Sequence, residues 1–451
     1  MTDDAVSDAS SGYFARILTT FAHYSHIYPF RLNMKKKLWL IHQHCTRVIL
    51  DERGHHYWIV KELAQRGYEP VVFCSNFDHY SRKFVDESNP LFFERTLPCG
   101  AKCVFIRSNA YHNSGRDYAR SLFLFYRNLM KVAKIYTTPP AHPPDIILAS
   151  SPSPFVVAAG EKLAKKFRVP CVAEIRDLWP ESIFAYFPQK RNKWYAKFLQ
   201  NYERKIYERA DAIIMTWAGG ADYIVDQGWE STVDLKKVHH VAHGVDIEEF
   251  DQLVKERPFF DPDLADKTHF KAVYTGSVRF VNNLGMCVDA ARILRDRGND
   301  HIRILVWGQG TELDALRNRV KELGLTNIVF KGLADRKNIP SILTQSDCAL
   351  LHNTSTVLNK YGQSQNKFYE YLAAAKPILM TYCVGRSVIK KEGCGIELDQ
   401  QTPESIANAL EKLEKLPREE YDAMAANARR VGESLDTKFQ MAKRIKIIED
   451  L

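Results

Sequence analysis

The stretch QSQNKFYEYLAAAKPIL (residues 363–379) joins a polar mouth, with Lys367 and Glu370, to a body from Tyr371 to Ala375 that is built for burial. Helical geometry must stop near Ala375, because Lys376 precedes Pro377 and the residue before a proline avoids the α region. An apolar run, PILMTYC (377–383), follows at once and reads as a strand. A short helix that opens on a polar loop and hands directly to a buried strand is a ligand-facing corner of an alternating strand–helix chain.

Working outward, the same alternation covers both halves. LWLIHQ (38–43), the helical HHYWIVKELAQRG (55–67) and EPVVFCS (69–75) come first, then DIILAS (145–150), FVVAAGEKLAKKFR (155–168), PCVAEIR (170–176), a long basic helix and DAIIMT (211–216). It restarts at FKAVYTGS (270–277) and continues through GMCVDAARILRDRG, IRILVWG, TELDALRNRVKELG, IVFKG, IPSILTQS and CALLHN before the opening stretch. Strands alternating with helices mean a parallel sheet covered on both faces. The expected architecture is α/β, with two Rossmann-like doubly wound domains facing across a cleft. Residues 34–250 form the first domain, 251–268 a polar, proline-containing linker and 269–430 the second domain. A C-terminal helix in 431–451 is expected to pack back on the first domain. Residues 1–33 show neither period and read as an extension, possibly disordered, ahead of a domain beginning at Met34. In open parallel sheets ligands bind beyond the carboxyl ends of the strands, so the cleft is the expected site.

Composition narrows the class. A chain of 451 residues is long for one core, and its 45% hydrophobic and 26% charged content is that of a globular protein. No apolar run is long enough to cross a bilayer. Asp3, Asp4 and Asp8 stand where a signal peptide would be basic. The 9 cysteines include no Cys-x-x-Cys pair and read as reduced thiols, so a cytoplasmic protein is expected. A formal charge of +9 suits nucleic acid, an anionic membrane or a phosphate-bearing substrate without choosing among them.

Helix N-termini present free N–H groups and a positive partial charge to anions. The loop from Gly362 to Asn366 allows close backbone approach, Lys367 adds a full charge, and Glu370 can accept from a vicinal diol such as a ribose. A nucleoside diphosphate needs that combination. The competing account is a solvated Lys367 and a Glu370 that only complements the helix dipole. YTGSVR (274–279) adds Gly276 and Arg279 at a strand end, where a guanidinium matches phosphate oxygens. Gly308 to Gly310 form a third strand-end turn.

In this order the pieces resemble retaining glycosyltransferases of family 4, which have the GT-B fold, and in particular the branch that builds bacterial O-antigen, capsule and exopolysaccharide. The text that carries the resemblance is YTGSVR, WGQGTELDALRNRVKELGLTNIVFKG, ADRKNIPSILTQSDCALL and SQNKFYEYLAAAKPIL, with ASSPSPFVVAAG, AEIRDLWPESI and VAHGVDIEEF in the first half. The resemblance implies transfer of a sugar from a nucleotide diphosphate sugar, a UDP-sugar first, to a glycan or polyprenyl-linked acceptor. It makes Glu370 similar to the ribose-binding glutamate, Arg279 to the phosphate-binding arginine and Gly276 to its neighbour. Gly332 and Leu333 fall where the base is held, Gly54 at the glycine-loop position near the diphosphate, and Asn366 and Lys367 in a Ser-x-Asn-Lys pattern typical of the branch. Two departures stand out. Gly362 replaces the first glutamate of the usual E-x7-E pair, and Asn282 and Asn283 occupy the place of a common lysine. No cofactor or metal is expected, because cations and helix N-termini take over the leaving diphosphate. Asp261-Pro-Asp263 lies in the linker and is not counted as a metal motif.

In EIRDLWPES (174–182), Asp177 is a candidate general base and Arg176 its neighbour in the cleft. The alternative is a structural ion pair between them. His42, His44, His55 and His56 lie near the first strand end, where they line the acceptor side or serve the core. Two basic, aromatic helices, in 120–136 and 189–210, suit peripheral contact with an anionic membrane on its cytoplasmic face. The alternative packs their aromatic stripes on the sheet. A nucleotide-sugar epimerase and a basic nucleic-acid binder remain the alternative functions; no nucleic acid is expected as partner.

Overall fold

The computed structural model describes residues 35–111, 115–139 and 141–451. The expected extension over 1–33 and the domain start at Met34 lie outside them. The first sheet contains β1 (Lys37–Ile41), β2 (Glu69–Ser75), β3 (Phe92–Thr96), β4 (Lys102–Ile106), β5 (Ile146–Ser150), β6 (Cys171–Ile175), β7 (Ala212–Met215) and β8 (Val238–His240). Their order is β3-β4-β2-β1-β5-β6-β7-β8, parallel except for the antiparallel edge pair β3–β4. The second sheet contains β9 (Phe270–Thr275), β10 (Ile302–Trp307), β11 (Ile328–Gly332), β12 (Cys348–Leu351), β13 (Ile378–Met380) and β14 (Gly395–Glu397), in the order β11-β10-β9-β12-β13-β14 and wholly parallel. Each sheet winds outward in both directions from its first strand, so each has a point where the strand order reverses: β1/β5 in one, β9/β12 in the other.

The central strands are apolar without interruption because helices cover both faces. In β1, Trp39 and Ile41 enter the core beneath the helices Gly115–Ile135, Pro154–Phe167 and Trp194–Arg209, whereas Leu38 and Leu40 enter the core beneath His55–Gln65. In β9, Val273 faces one core while Ala272 and Tyr274 face the other.

The stretch read as a linker, 251–268, is not free chain. A helix, Ile247–Glu256, capped by the Asp246 side chain, runs across the expected boundary and buries Phe250 and Leu253. A helical turn, Pro262–Ala265, buries Leu264, and Phe250 and Leu264 both join the second domain's core. The polar composition of this stretch came from its exposed face. Asp261 and Asp263 both pair with Lys331, and Asp261 caps the turn, so neither carboxylate is open to a metal. The last helix, Thr437–Glu449, lies on the first domain, where Met441, Ile445 and Ile448 join the core around Leu38 and Leu40. Direct bonds also join the two halves: Gly219 N–H to Tyr361 O at 2.8 Å, Ser364 Oγ to Thr216 Oγ1 at 2.5 Å, and Asn353 Nδ2 to Tyr186 OH at 3.1 Å. Thr216 and Asn353 each follow a strand by one or two residues, so the carboxyl ends of both sheets meet at one cleft.

Candidate active site

On the second-sheet side, three strand-end corners are knitted together through backbone. Gly276 N–H donates to Trp307 O, Val278 N–H to Gln309 O, and Gly308 N–H to Gly332 O, at 3.0, 3.0 and 2.7 Å. A Cβ on Gly308 would lie 1.8 Å from Gly276 O, so the glycine turn after β10 exists to let the turn after β9 lie against it. Lys367, in the first turn of the helix Asn366–Ala373, reaches this corner. Its Nζ donates to Tyr274 OH at 2.8 Å and lies 4.0 Å over that ring. Among the described residues no carboxylate pairs with it, and burial pushes its pKa down to about 7. Arg279, exposed at the head of the turn Phe280–Asn282, likewise has no ion pair among them and faces His79 across the cleft. Leu333, 76% exposed, stands at the rim just after Gly332.

Three further predicted residues meet in one small cavity, where Gly54, Asn366 and Glu370 line the walls with Arg53, His243 and Arg336. Gly54 has φ 104°, a left-handed value that glycine takes without strain, and it starts the helix His55–Gln65. Among the described residues the Glu370 carboxylate makes no hydrogen bond or ion pair. Burial pushes its pKa up, and the nearby charges of Arg336 and Arg53 only partly oppose this; Arg53 is itself committed to Glu249 at 2.8 Å. Lys367 and Glu370 therefore diverge from one helix start, one toward Gly276 and the other toward Gly54. A roomier recess of about 890 Å³ lies between helix flanks around Trp58, Lys61, Asp251 and Lys438, away from any strand's carboxyl end.

On the first-sheet side, Arg176 and Asp177 follow β6. Arg176 N–H donates to Ser151 Oγ at 2.8 Å, and its carbonyl accepts from Trp217 Nε1 at 3.0 Å, which ties the turn to the ends of β5 and β7. The two side chains do not form the ion pair of the alternative reading: no contact within 4.0 Å joins them, and the buried Arg176 Nε has no hydrogen-bond partner. Asp177 is open to water yet flanked by protein, which pushes its pKa up while Arg176 opposes.

The histidines are buried. His42 Nδ1 meets Ser150 O at 2.9 Å, His56 Nε2 meets Ser150 Oγ at 3.0 Å, and His55 Nε2 meets Glu174 Oε1 at 2.8 Å. Burial pushes His42 down to about 3 and His55 to about 4. His55, His56 and Glu174 bring ligand atoms within 4.8 Å of one another, as a metal would require. Protein donors already close this cluster, since Glu174 also accepts from Ser150 Oγ at 2.6 Å and from Arg444 Nε at 3.1 Å. His42 and His56 thus serve the core, and His55 joins that core to the Glu370 cavity.

The structure does not bring every predicted residue to one point. Gly54, Asn366 and Glu370 share the cavity; Gly276 and Lys367 share the corner; Arg279, Gly332 and Leu333 stand on the rim; Arg176 and Asp177 form the opposite wall. Gly362, at φ 105°, lies against Ala218 and Gly385, a backbone position that suits no glutamate. Beside it, Gln363 and Gln365 each carry a buried amide oxygen with no partner. Sequence reasoning passed over both, although they open the stretch on which it began. It also passed over Arg53, His243 and Arg336, whose only signal was adjacency to quoted motifs.

Two family models match. Residues 55–249 fit "Glycosyltransferase Family 4" and residues 256–431 fit "Glycosyl transferases group 1". A sucrose-phosphate synthase from Thermosynechococcus elongatus has a similar structure, with a TM-score of 0.67 at 14% identity over 92% of this chain and 99% of that one. HepE from Anabaena, in complex with UDP-glucose, gives 0.63 at 14% over 92% and 100%. WaaG, a glycosyltransferase involved in lipopolysaccharide biosynthesis, gives 0.60 at 13% over 91% and 99%. No curated protein matches by sequence. The two sheets facing across a cleft are the GT-B fold, and the two family matches make the protein a glycosyltransferase, a transferase of the EC 2.4 type. The chain belongs to the family 4, group 1 glycosyltransferases. Transfer is thereby selected over the epimerase and nucleic-acid alternatives.

Proposed function

We propose that this glycosyltransferase takes a UDP-sugar as donor and transfers the sugar, with retention at the anomeric carbon, to a glycan or polyprenyl-linked acceptor of a surface polysaccharide. The observation that carries the reading is the pair of unsatisfied charges on one helix start: Lys367 has no carboxylate, and Glu370 has no donor. A nucleoside diphosphate supplies both, its ribose hydroxyls to Glu370 and its pyrophosphate to Lys367 and Arg279. Gly54 and Gly276 allow close approach, Asn366 supplies an N-terminal amide, and Gly332 and Leu333 flank the base. The cations carry the leaving diphosphate, so no metal is required. Asp177, its pKa raised by the surrounding protein, serves as general base with Arg176 beside it. The similar structures with UDP-glucose and from lipopolysaccharide biosynthesis support this donor class and pathway. The protein works at the cytoplasmic face of the membrane, held peripherally through 120–136 and 189–210. Among the described residues no helix is long and apolar enough to span a bilayer.

A panel of nucleotides and nucleotide sugars, read by thermal shift, tests the reading. UDP and one UDP-sugar are expected to raise the melting temperature, and Glu370→Ala is expected to weaken their binding by about tenfold, the worth of a charged hydrogen bond. Unchanged affinity in a folded Glu370→Ala protein would remove the ribose assignment.

A further inference from the structure

The donor reading leaves a second set of cations unexplained, on the first-sheet wall of the cleft. Beyond β2 the chain makes a tight turn in which Asp78 is fully employed. Its carboxylate accepts from Tyr80 N–H at 3.0 Å, Ser81 N–H at 3.3 Å and Ser81 Oγ at 2.6 Å. The turn holds Arg82 at φ 59°, a left-handed conformation unusual for a non-glycine residue. Its guanidinium lies against Tyr111: Nη1 donates to the Tyr111 carbonyl at 3.1 Å, and Cζ lies 5.1 Å from the ring centroid. Among the described residues no carboxylate pairs with Arg82. Beside it, His79 Nδ1 meets Tyr111 OH at 2.7 Å, and its ring lies 5.0 Å from that of His44.

The charges around this patch place it in the reaction path. His79 is faced by Arg82, Asp78, Tyr80, Tyr111 and His44 from its own domain and by Arg279 from the other. Burial with Arg82 and Arg279 pushes His79 down to about 4. Tyr118, within 3.3 Å of His44, feels both Arg82 and Asp177. Arg82 and His79 therefore lie along the cleft between the proposed phosphate clamp and the proposed base. Asp78 is spent on its turn, whereas Asp177 is exposed and shares Tyr118 as a neighbour with Arg82.

We propose that Arg82 and His79 form an anion subsite for a phosphate or diphosphate group on the acceptor, placed so that the acceptor's hydroxyl meets Asp177. A guanidinium fixed over an aromatic ring keeps its donors aimed at phosphate oxygens. The tyrosines around it give an amphipathic wall for the rest of the acceptor. The orientation toward Asp177 rests on the donor reading above; the anion contact does not. The phosphate belongs either to a lipid-linked diphosphate or to a soluble sugar phosphate.

Full-length protein, with the donor site filled by saturating UDP, is titrated with farnesyl diphosphate and with glucose 6-phosphate in calorimetry buffers of two ionisation enthalpies. At least one is expected to bind, and the tighter of the two tells the lipid from the soluble source. Arg82→Gln is expected to weaken it by about tenfold or more with UDP affinity and melting temperature unchanged. A bound anion favours protonated His79, so binding is expected to take up protons as pH falls from about 6 toward about 4, and His79→Gln to abolish that uptake. The proposal is overturned if neither anion binds, if Arg82→Gln leaves anion binding intact, or if it weakens UDP equally, which would make Arg82 a donor residue. Failure of UDP to bind the wild type, with Arg82-dependent anion binding retained, would sink the donor reading alone.

Discussion

Glu174, near the end of β6, and Glu370, in the helix Asn366–Ala373, are both enclosed carboxylates beside this cleft, and they are treated in opposite ways. Glu174 is fully buried and accepts from His55, Arg444 and Ser150, with His56 at 3.8 Å. Those partners hold its pKa well below the ordinary carboxylate range despite the desolvation. Glu370 has no bonded partner, and burial pushes it up. A satisfied buried charge belongs to the architecture, whereas an enclosed charge without partners is held for something that arrives. The difference marks Glu174 as structural and supports the proposed ligand role of Glu370 with no reference to motif.

The largest effect is expected where the satisfied pair is broken. Arg444 comes from the final helix and is fully buried against Glu174, so removing it strands a carboxylate in the first domain's core. Arg444→Met is expected to cost about 3 kcal/mol, read by urea unfolding; a loss below about 1 kcal/mol would mean that the pair is ornamental. The pH signs differ between the two acids. Glu174 has a folded pKa below its unfolded one, so its contribution is present above the unfolded value and lost as pH falls toward the folded one. Glu370 has a raised pKa, so it destabilises the free protein once pH exceeds the unfolded value, and Glu370→Gln should leave the fold no weaker at neutral pH.

The same contrast explains what could be read from sequence. The central strands of both sheets were legible because strands buried on two faces are uninterrupted apolar runs and the helices between them keep their own period, whereas β3, β4, β8 and β14 were passed over. The end of the helix Asn366–Ala373 followed from Pro377, with Ala375 turning into the left-handed region at φ 53°. Lys367 and Glu370 stood out in the sequence because polar residues sat at the mouth of a burial-built helix. Hidden from sequence was pairing over long separations. Nothing local shows that Glu174 is closed by Arg444, 270 residues away, or that Arg176 and Asp177 fail to pair. The helix across the expected linker was missed because only its buried positions, Phe250 and Leu253, carry the signal.

A second way to sharpen the comparison uses pH. Lys367 titrates at about 7 in the free protein because burial penalises its charge. A bound diphosphate favours the charged form, so binding above pH 7 must draw in a proton. UDP affinity is expected to be flat below pH 7 and to fall by about tenfold per unit above it, with Lys367→Met weaker throughout and flat over the same range. A wild-type profile without that bend, measured by calorimetry from pH 6 to 9, would make Lys367 a partner of Tyr274 alone.

The smallest effect tests the same rule in apolar form. The helix Trp194–Arg209 sends Ala196, Ile206 and Tyr207 inward, as the packing alternative required, but leaves Trp194 88% and Phe198 60% exposed beside Lys193 and Lys197. Nearby, Phe187 is half-exposed under Lys190, at 4.4 Å. The helix Gly115–Ile135 instead buries Phe125, Leu129 and Val132, and Phe123 stands out at 66% exposure. Trp194 and Phe198 are largely exposed apolar groups, and the flanking lysines fit the proposal that an anionic bilayer surface covers them. Trp194→Glu with Phe198→Glu is expected to reduce partitioning onto phosphatidylglycerol-containing vesicles by several-fold to about tenfold, and Phe123→Glu by less. Equal losses at the two helices would extend the membrane face across both. Unchanged partitioning in the double variant would leave Trp194 and Phe198 as ordinary exposed aromatics and detach the membrane from the acceptor side of this enzyme.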